Sequence, residues 1–276
     1  MRAHHDVPPQ GIGWNDILRT LLTRISNRDN LVLMANLNER KTKILKAVID
    51  EYIETAQPVG SGTLERKFNM NVSPATIRNE MVELTNLGFL KKVHSSSGRM
   101  PTPMALKYYV ANLMREQQMS LSDEVAVKEK VWDYRHKMDK MLREVTHELA
   151  NRTKELAIAT TDEGDIYSSG TSHILESPEF YDIDLTRALL SQIDEVAFWN
   201  RLTNRSVSDM DAVDLLLGND FGSDIFEPCS FVFARFTAGK HKGAIGVLGP
   251  ARLNFGKVFP TIRYFRGLLD EVFKGW

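Results

Sequence analysis

Three helical patterns, a short apolar strand and a polar loop follow one another between Asn36 and Arg99. At the start of the first pattern, Asn38 can cap the helix, and Glu39 lies in the first turn beside the positive end of the helix dipole. Pro58 ends this helix. Its apolar side chains recur at i, i+4 and i+8 on one face: Ile44, Leu45, Val48, Ile49, Tyr52 and Ile53. The segment therefore opens with an amphipathic helix that must bury one face.

Two further helices follow within the same segment. The second is short and begins near Ser61 or Thr63. Before the third helix, Ser73 supplies an N-cap and Pro74 occupies the first helical position, where its missing N–H costs nothing. This helix ends at Gly88, a residue suited to a left-handed C-terminal cap. Its inward side chains are Ile77, Met81, Leu84 and Leu87.

The outward face of the third helix is small and polar near the N-terminus. It carries Ser73, Ala75, Thr76, Arg78 and Asn79. Such a face fits the major groove of DNA, because hydroxyl and N–H groups meet phosphate while Arg can pair with guanine and Asn with adenine. The alternative is a small helical domain whose polar face is only solvated.

The strand and loop after the third helix predict a wing. Residues 89–93 are strand-like, and residues 94–99 form a polar loop that contains Gly98 and ends in a cation. We predict that the wing reaches the DNA backbone through Lys91, Lys92, His94, Ser96 and Arg99. The order helix, helix, helix, wing is typical of a winged helix-turn-helix, which we place at residues 36–103.

Residues 1–35 form an N-terminal extension outside this module. Residues 1–10 are polar, and the apolar side chains that follow have the spacing of an amphipathic helix: Ile12, Trp14, Ile17, Leu18, Leu21, Leu22 and Ile25. One interpretation is an arm that docks on the protein or on a partner. The other is that translation begins at Met34, so that the extension is not native.

Residues 104–160 are predicted to be linker helices. The first passes through Leu106 and Tyr109, and a polar break follows at 117–122. Residues 123–160 then lack Pro and Gly and indicate one long helix, and residues 156–160 are either the end of this helix or a strand. The heptads of this helix are too few and too irregular for a clear coiled coil, so we expect it to pack on the C-terminal domain and on the same helix of a second subunit in a dimer.

Residues 161–276 have the mixed pattern of an α+β domain. A helix is predicted at 179–193, with Leu185, Leu189, Leu190 and Ile193 inward. Strands at 226–238 and 243–248 are joined as in a hairpin, and a closing helix covers 258–273. Helices packed on an antiparallel sheet give an α+β fold.

The formal net charge of −1 hides a strong asymmetry along the chain. Residues 36–99 have a net charge of +3, residues 160–230 of −12, and residues 231–276 of +6. DNA would be attracted to the first of these segments and repelled by the second. The basic tail either pairs with the acidic segment, inside the fold or across a dimer, or forms a second DNA site. The first reading is favoured because its cations alternate with core-like aromatic residues.

Several kinds of chemistry are excluded or disfavoured. One cysteine, Cys229, excludes an intramolecular disulfide and a cysteine-rich zinc site, and we expect it to be a packed small residue. No apolar run approaches the ~18 residues of a membrane helix, and no signal peptide pattern occurs, so we expect a cytoplasmic protein. Phosphate-binding, dinucleotide-binding and hydrolase motifs are missing, and the carboxylates of 162–165 are those of a solvated turn. The sequence therefore predicts no enzyme, no cofactor and no metal.

Specific motifs resemble the HrcA family of heat-inducible transcription repressors. Those of its winged-helix domain are PVGSGTL, VSPATIRNEM, LGFL and HSSSGRMPT, and those of its C-terminal region are SPEF, IFEPCSFVFARF and GAIGVLGPARLNFGKVFPTI. The resemblance covers residues 37–115 and 165–272. The chain departs from the family at two places. Leu253-Asn254-Phe255 stands where the family usually has Met-Asp-Tyr. The middle of the chain is also shorter than usual, which implies that part of the sensor-like domain or its inserted dimerisation domain is missing.

The resemblance implies an N-terminal winged helix-turn-helix, a long linker helix and a GAF-like α+β domain for sensing or dimerisation. It implies a dimeric repressor whose two winged helices read the halves of an inverted repeat in double-stranded DNA upstream of chaperone genes. Heat would relieve repression, and a GroEL-type chaperonin would promote the active form. The alternative is a winged-helix regulator gated by a small ligand in the C-terminal domain.

Overall fold

The computed structural model describes residues 37–68, 70, 72–93, 98–193, 195–204, 212–238 and 241–273. The chain divides into two compact units, Met1–Leu37 and Asn38–Trp276, and the described helices and strands belong to the second. The predicted N-terminal extension at 1–35 lies outside the described residues. No helix in the described part is both long enough and apolar enough to span a membrane.

The first three helices have the predicted order: α1, Glu39–Thr55; α2, Ser61–Phe68; and α3, Pro74–Asn86. The predicted cap of α1 is confirmed, because Asn38 Oδ1 accepts a hydrogen bond from the Lys41 amide at 2.8 Å. The apolar faces of α1 and α3 are buried, with Ile44, Leu45, Val48, Ile49, Ile77 and Leu84 fully covered. Pro58 does not itself end α1. The helix stops earlier, where Ala56 adopts a left-handed φ of 57° and its amide bonds to Tyr52 O.

Gly88 ends α3 as the sequence predicted. Its φ is +80°, its amide donates to Thr85 O at 3.0 Å, and the Phe89 amide donates to Leu84 O at 3.0 Å. These two bonds are those of a Schellman motif, which satisfies carbonyl groups that a helix end leaves open. The chain therefore turns sharply from α3 into the next strand.

A two-stranded antiparallel hairpin follows α3. β1, Leu90–Lys92, pairs with β2, Arg99–Pro101, so that Leu90 faces Pro101 and Lys92 faces Arg99. The tip of this hairpin, 94–97, lies outside the described residues. Gly98 must be glycine here, since a Cβ would lie 2.4 Å from the Val59 backbone. α4, Pro103–Asn112, completes this part, which we call the N-terminal module (residues 38–112).

The predicted single helix over 123–160 is wrong. The chain forms α5, Leu121–Trp132, and α6, Met138–Thr153, separated by a turn at 133–137. The break lets both helices bury apolar faces, with Val127 and Val131 of α5 and Met141 and Val145 of α6 fully covered. Residues 156–160, which the sequence left open as a helix end or a strand, belong to the strand Leu156–Thr161, which is buried along its whole length.

Five antiparallel strands form the C-terminal sheet in the order β4-β3-β7-β6-β5. Their bounds are β3, Leu156–Thr161; β4, Ile166–Ser169; β5, Val213–Leu217; β6, Cys229–Ala238; and β7, His241–Pro250. The predicted strands at 226–238 and 243–248 correspond to β6 and β7, which pair directly along the chain. The sheet begins at β3, before the predicted domain boundary at 161.

Helices cover both faces of this sheet. Phe231 and Phe233 belong to a buried cluster with Trp199, which also contains side chains of α7, Ile183–Ile193, and α8, Val196–Asn204. On the other face, Phe236 stacks on Phe273 of α9, Phe255–Phe273, with ring centroids 5.8 Å apart. Helices on an antiparallel sheet make the fold α+β, as predicted.

Two side-chain predictions in this domain have different outcomes. Leu190 of α7 is 40% exposed rather than inward, because the buried side of that helix is formed by Leu185, Leu189 and Ile193. Cys229 is a packed residue, as predicted, with no exposed surface. Burial raises the pKa of its thiol to about 12, so the thiol remains protonated and unreactive.

Candidate nucleic-acid interface

The start of α3 presents the side chains predicted to read DNA. Ser73 Oγ accepts a hydrogen bond from the Thr76 amide at 3.2 Å, which fixes the first turn behind Pro74. Ser73, Ala75, Arg78 and Asn79 are exposed, and Thr76 is half-buried with its hydroxyl 3.0 Å from that of Ser73. Within the described residues, neither Arg78 nor Asn79 has a hydrogen-bond or ion-pair partner. Their donor groups are therefore available to a ligand.

Cationic side chains of α1 pair with two carboxylates of α3. Arg40 Nε donates to Glu80 at 2.6 Å, and Lys41 Nζ lies 3.2 Å from Glu80 and 2.8 Å from Glu83. Although burial raises the pKa of Glu80, the hydrogen bonds from Arg40 and Lys41 hold it below its usual value. Glu80 therefore stays ionised, and both acids are paired with cations of α1, which reduces their repulsion of a phosphate backbone. No local pattern in the sequence indicated this role for α1.

The predicted wing residues differ in whether their side chains already have hydrogen-bond or ion-pair partners. Lys92 is exposed and has no partner within the described residues, whereas Lys91 Nζ lies 2.6 Å from Glu227 in the C-terminal domain. Arg99 is half-buried, and its Nε donates to Thr85 Oγ1 of α3 at 3.2 Å. His94 and Ser96, both predicted to contact DNA, lie outside the described residues. The structure thus places Lys91, Lys92 and Arg99 beside α3, but Lys91 and Arg99 already have partners.

A cavity of about 420 Å³ lies between the N-terminal module and the C-terminal domain. Asp50 and Tyr109 line one side, and Arg115, Glu155 and Arg252 line the other. The Tyr109 hydroxyl donates to Asp50 at 2.8 Å. Burial raises the pKa of Glu155 to about 8, although nearby Arg252 lowers it. The volume is within the range of small-molecule sites. No local pattern in the sequence indicates this cavity, because its walls come from distant parts of the chain.

The acidic segment 160–230 and the basic tail 231–276 contact each other inside the fold. The acidic and basic segments pair within the chain, as Arg252 with Glu179 at 2.6 Å and Arg235 with Asp214 at 3.7 Å. Pairing inside the fold was one of the alternatives that the sequence left open.

In the described part of the chain, no group of three or more His, Cys, Asp or Glu side chains could hold a metal ion.

Two curated relatives align with nearly their whole length. The "Heat-inducible transcription repressor HrcA" of Desulforudis audaxviator is 24% identical over 336 residues, covering 86% of this chain and 98% of that protein. The protein of the same description from Desulforamulus reducens is 26% identical over 344 residues, covering 87% of this chain and 99% of that protein. Both alignments are longer than the 276 residues of this chain, so the relatives contain internal residues that this chain lacks.

A solved structure described as "Crystal structure of a hypothetical protein at 2.2 A resolution" has a similar fold. The TM-score is 0.68 at 16% identity, covering 87% of this chain and 99% of that one. At this identity the likeness concerns the fold alone. The family model described as "HrcA protein C terminal domain" matches residues 106–259. Because that match spans more than half of the chain, and the resemblance of its motifs agrees with it, the chain belongs to the HrcA family.

Proposed function

We propose that this protein is a sequence-specific, DNA-binding transcriptional repressor of heat-shock genes that encode chaperones. The observation that carries the proposal is the exposed start of α3, where Arg78 and Asn79 are free of partners in the described part of the chain. Arg and Asn are side chains that distinguish guanine and adenine in the major groove. Two relatives are described as heat-inducible transcription repressors, which supports repression as the outcome of binding.

In this proposal, residues 36–103 are a winged helix-turn-helix, residues 104–160 link it to the rest, and residues 161–276 are a GAF-like sensor or dimerisation domain. The DNA-contacting residues are Ser73, Ala75, Thr76, Arg78, Asn79, Lys91, Lys92, His94, Ser96 and Arg99. One module offers a small interface, so tight binding needs two, held by a homodimer on an inverted repeat. A GroEL-type chaperonin is the proposed partner that promotes the active form, and no enzymatic step is involved.

Recovery of bound genomic DNA tests the proposal. The purified full chain is mixed with fragmented DNA of its own genome, and the retained fragments are sequenced. We expect an inverted repeat upstream of chaperone genes to be enriched. Arg78→Ala should lose this enrichment, whereas Arg187→Ala, which removes an exposed arginine of α7, should keep it. Equal recovery of all sequences by the wild-type chain would contradict the proposal.

The cavity favours a second candidate function, a winged-helix regulator gated by a small ligand. It is bounded by α1 of the DNA-binding module and by the loop after β7, so an occupant would contact both parts. Thermal unfolding of the full chain with a panel of metabolites separates the two functions. A ligand that raises the melting temperature and also changes affinity for the recovered DNA supports gating. Recovery of a heat-shock operator with no such ligand favours the first proposal.

A further inference from the structure

Arg252 joins the C-terminal domain to the first helix of the N-terminal module. It lies in the loop between β7 and α9, and its Nε and Nη2 donate to the two carboxylate oxygens of Glu179 at 2.6 and 3.2 Å. Its Nη1 donates to the Ile53 carbonyl of α1 at 3.1 Å. We call these contacts the Arg252 clamp. The planar guanidinium suits this arrangement, since its two edges bind two partners at once.

The end of α1 needs such a donor. The last four carbonyl groups of a helix have no partner within the helix, and Ile53 is among these at the end of α1, Glu39–Thr55. The neighbouring Tyr52 is buried, which is the main cause that raises its pKa to about 12, and Glu179, Arg252 and Glu227 also act on it. The last turn of α1 therefore lies against this part of the C-terminal domain.

Two other ion pairs between the two parts are more exposed. Lys91 and Glu227 have side chains 43% and 54% exposed, and Lys107 and Asp220 have side chains 26% and 32% exposed. Arg252 and Glu179 are 16% and 14% exposed. Water and salt weaken ion pairs at the surface much more than buried ones. The cavity beside Arg252 also limits apolar packing between α1 and the loop after β7.

We propose that Arg252 is a positioning residue that holds the DNA-binding module at a fixed orientation on the C-terminal domain, with Glu179 orienting its guanidinium. This inference rests on the proposed function for its consequence at DNA. A dimer can engage two half-sites together only when its modules are held at the matching separation. Loss of the clamp lowers the effective concentration of the second module at its half-site.

A distance measurement by pulsed electron paramagnetic resonance tests the clamp without DNA. Spin labels are attached to Glu65→Cys on α2 and Glu129→Cys on α5, both exposed positions, in the full chain. Cys229 is fully buried and stays unlabelled. Labelled chains are diluted with unlabelled ones, so that only distances within one chain are measured. We expect one narrow distribution for this parent chain.

Two variants remove the clamp in different ways. Arg252→Lys keeps the charge but cannot bind Glu179 and Ile53 together through a planar fork. Arg252→Met/Glu179→Leu replaces the ion pair with apolar side chains, so the fold keeps no unpaired buried charge. The matched control is Arg263→Ala. It removes another bidentate pair, with Glu116 at 2.9 Å, that does not involve α1. Thermal unfolding checks that each variant is folded.

Both clamp variants should broaden the distance distribution and weaken binding to the recovered inverted repeat roughly tenfold, while Arg263→Ala leaves both unchanged. A distribution as narrow as the parent's in Arg252→Met/Glu179→Leu would overturn the inference, as would equal broadening in Arg263→Ala. If the wild-type chain binds no specific DNA, the proposed function fails, and the distances still decide whether the clamp exists.

Discussion

Arg78 is the residue whose replacement should separate base reading from general DNA affinity. Its guanidinium is exposed near the start of α3 and has no partner in the described part of the chain. If it pairs with guanine, Arg78→Ala should cost about 1–3 kcal/mol on the operator and little on random DNA. Titration of both DNAs at one salt concentration measures this. Equal losses on the two would reduce Arg78 to a phosphate contact.

Glu155 should make stability depend on pH. Burial raises its pKa from 4.5 to about 8, so between these values the folded chain keeps a proton that the unfolded chain has released. Stability therefore falls as pH rises through this window. Glu155→Gln keeps a neutral side chain, so it should match the wild type at pH 5 and exceed its free energy of unfolding by roughly 1–3 kcal/mol at pH 8.5. Urea unfolding at both pH values measures the difference, and a constant difference would contradict the assignment.

At the scale of elements, the turn after α3 depends on one backbone angle. Gly88 has a φ of +80°, and a Cβ there would lie 3.3 Å from the Met104 side chain. Gly88→Ala should therefore destabilise the fold by about 1–2 kcal/mol. Gly62 in α2 is the matched control, because its φ is not left-handed and a Cβ would meet no atom closer than 4.0 Å. Gly62→Ala should be stabilising by up to about 0.5–1 kcal/mol, because Ala loses less backbone freedom than Gly when the helix forms. Equal effects in denaturant unfolding would contradict this account.

The sequence predicted the helices whose ends are marked by a capping residue or a glycine close by in the chain. Asn38, Ser73 and Gly88 mark helix ends through short-range hydrogen bonds and a backbone angle, and each occupies the predicted place. The break between α5 and α6 had no such mark, because residues 133–137 contain neither Pro nor Gly. That break depends on how two helices bury their apolar faces against distant parts of the fold.

The candidate site likewise has one part that local spacing predicts and another that depends on long-range contacts. Its outward face on α3 follows from helical spacing alone, so the sequence predicted it. The contacts that hold the helices behind that face in place did not follow, since Arg40 and Glu80 are 40 positions apart and Arg252 and Ile53 are 199 apart. Contacts across such separations depend on topology rather than on a local pattern.

At the scale of the whole molecule, the charge segments already have partners inside the chain. Arg252 and Arg235 of the basic tail pair with Glu179 and Asp214 of the acidic segment. We therefore expect the proposed dimer, formed at micromolar concentration, to have a dissociation constant that changes little between low and high salt. Sedimentation at both conditions measures this. A monomer would contradict the dimer, and strong weakening by salt would show that the segments complement each other between subunits.

The order of strands in the sheet has a consequence for synthesis of the protein. Strand β3 pairs with β7, the central strand of the sheet, Leu156 with Leu248 and Thr161 with Gly243. The sheet therefore cannot close until β7 has left the ribosome. The N-terminal module uses nearer contacts and should become protease-resistant on shorter stalled chains. Resistance of the sheet in chains that end before His241 would contradict this order. A nascent chain would thus carry a finished N-terminal module well before Arg252 is available to hold it.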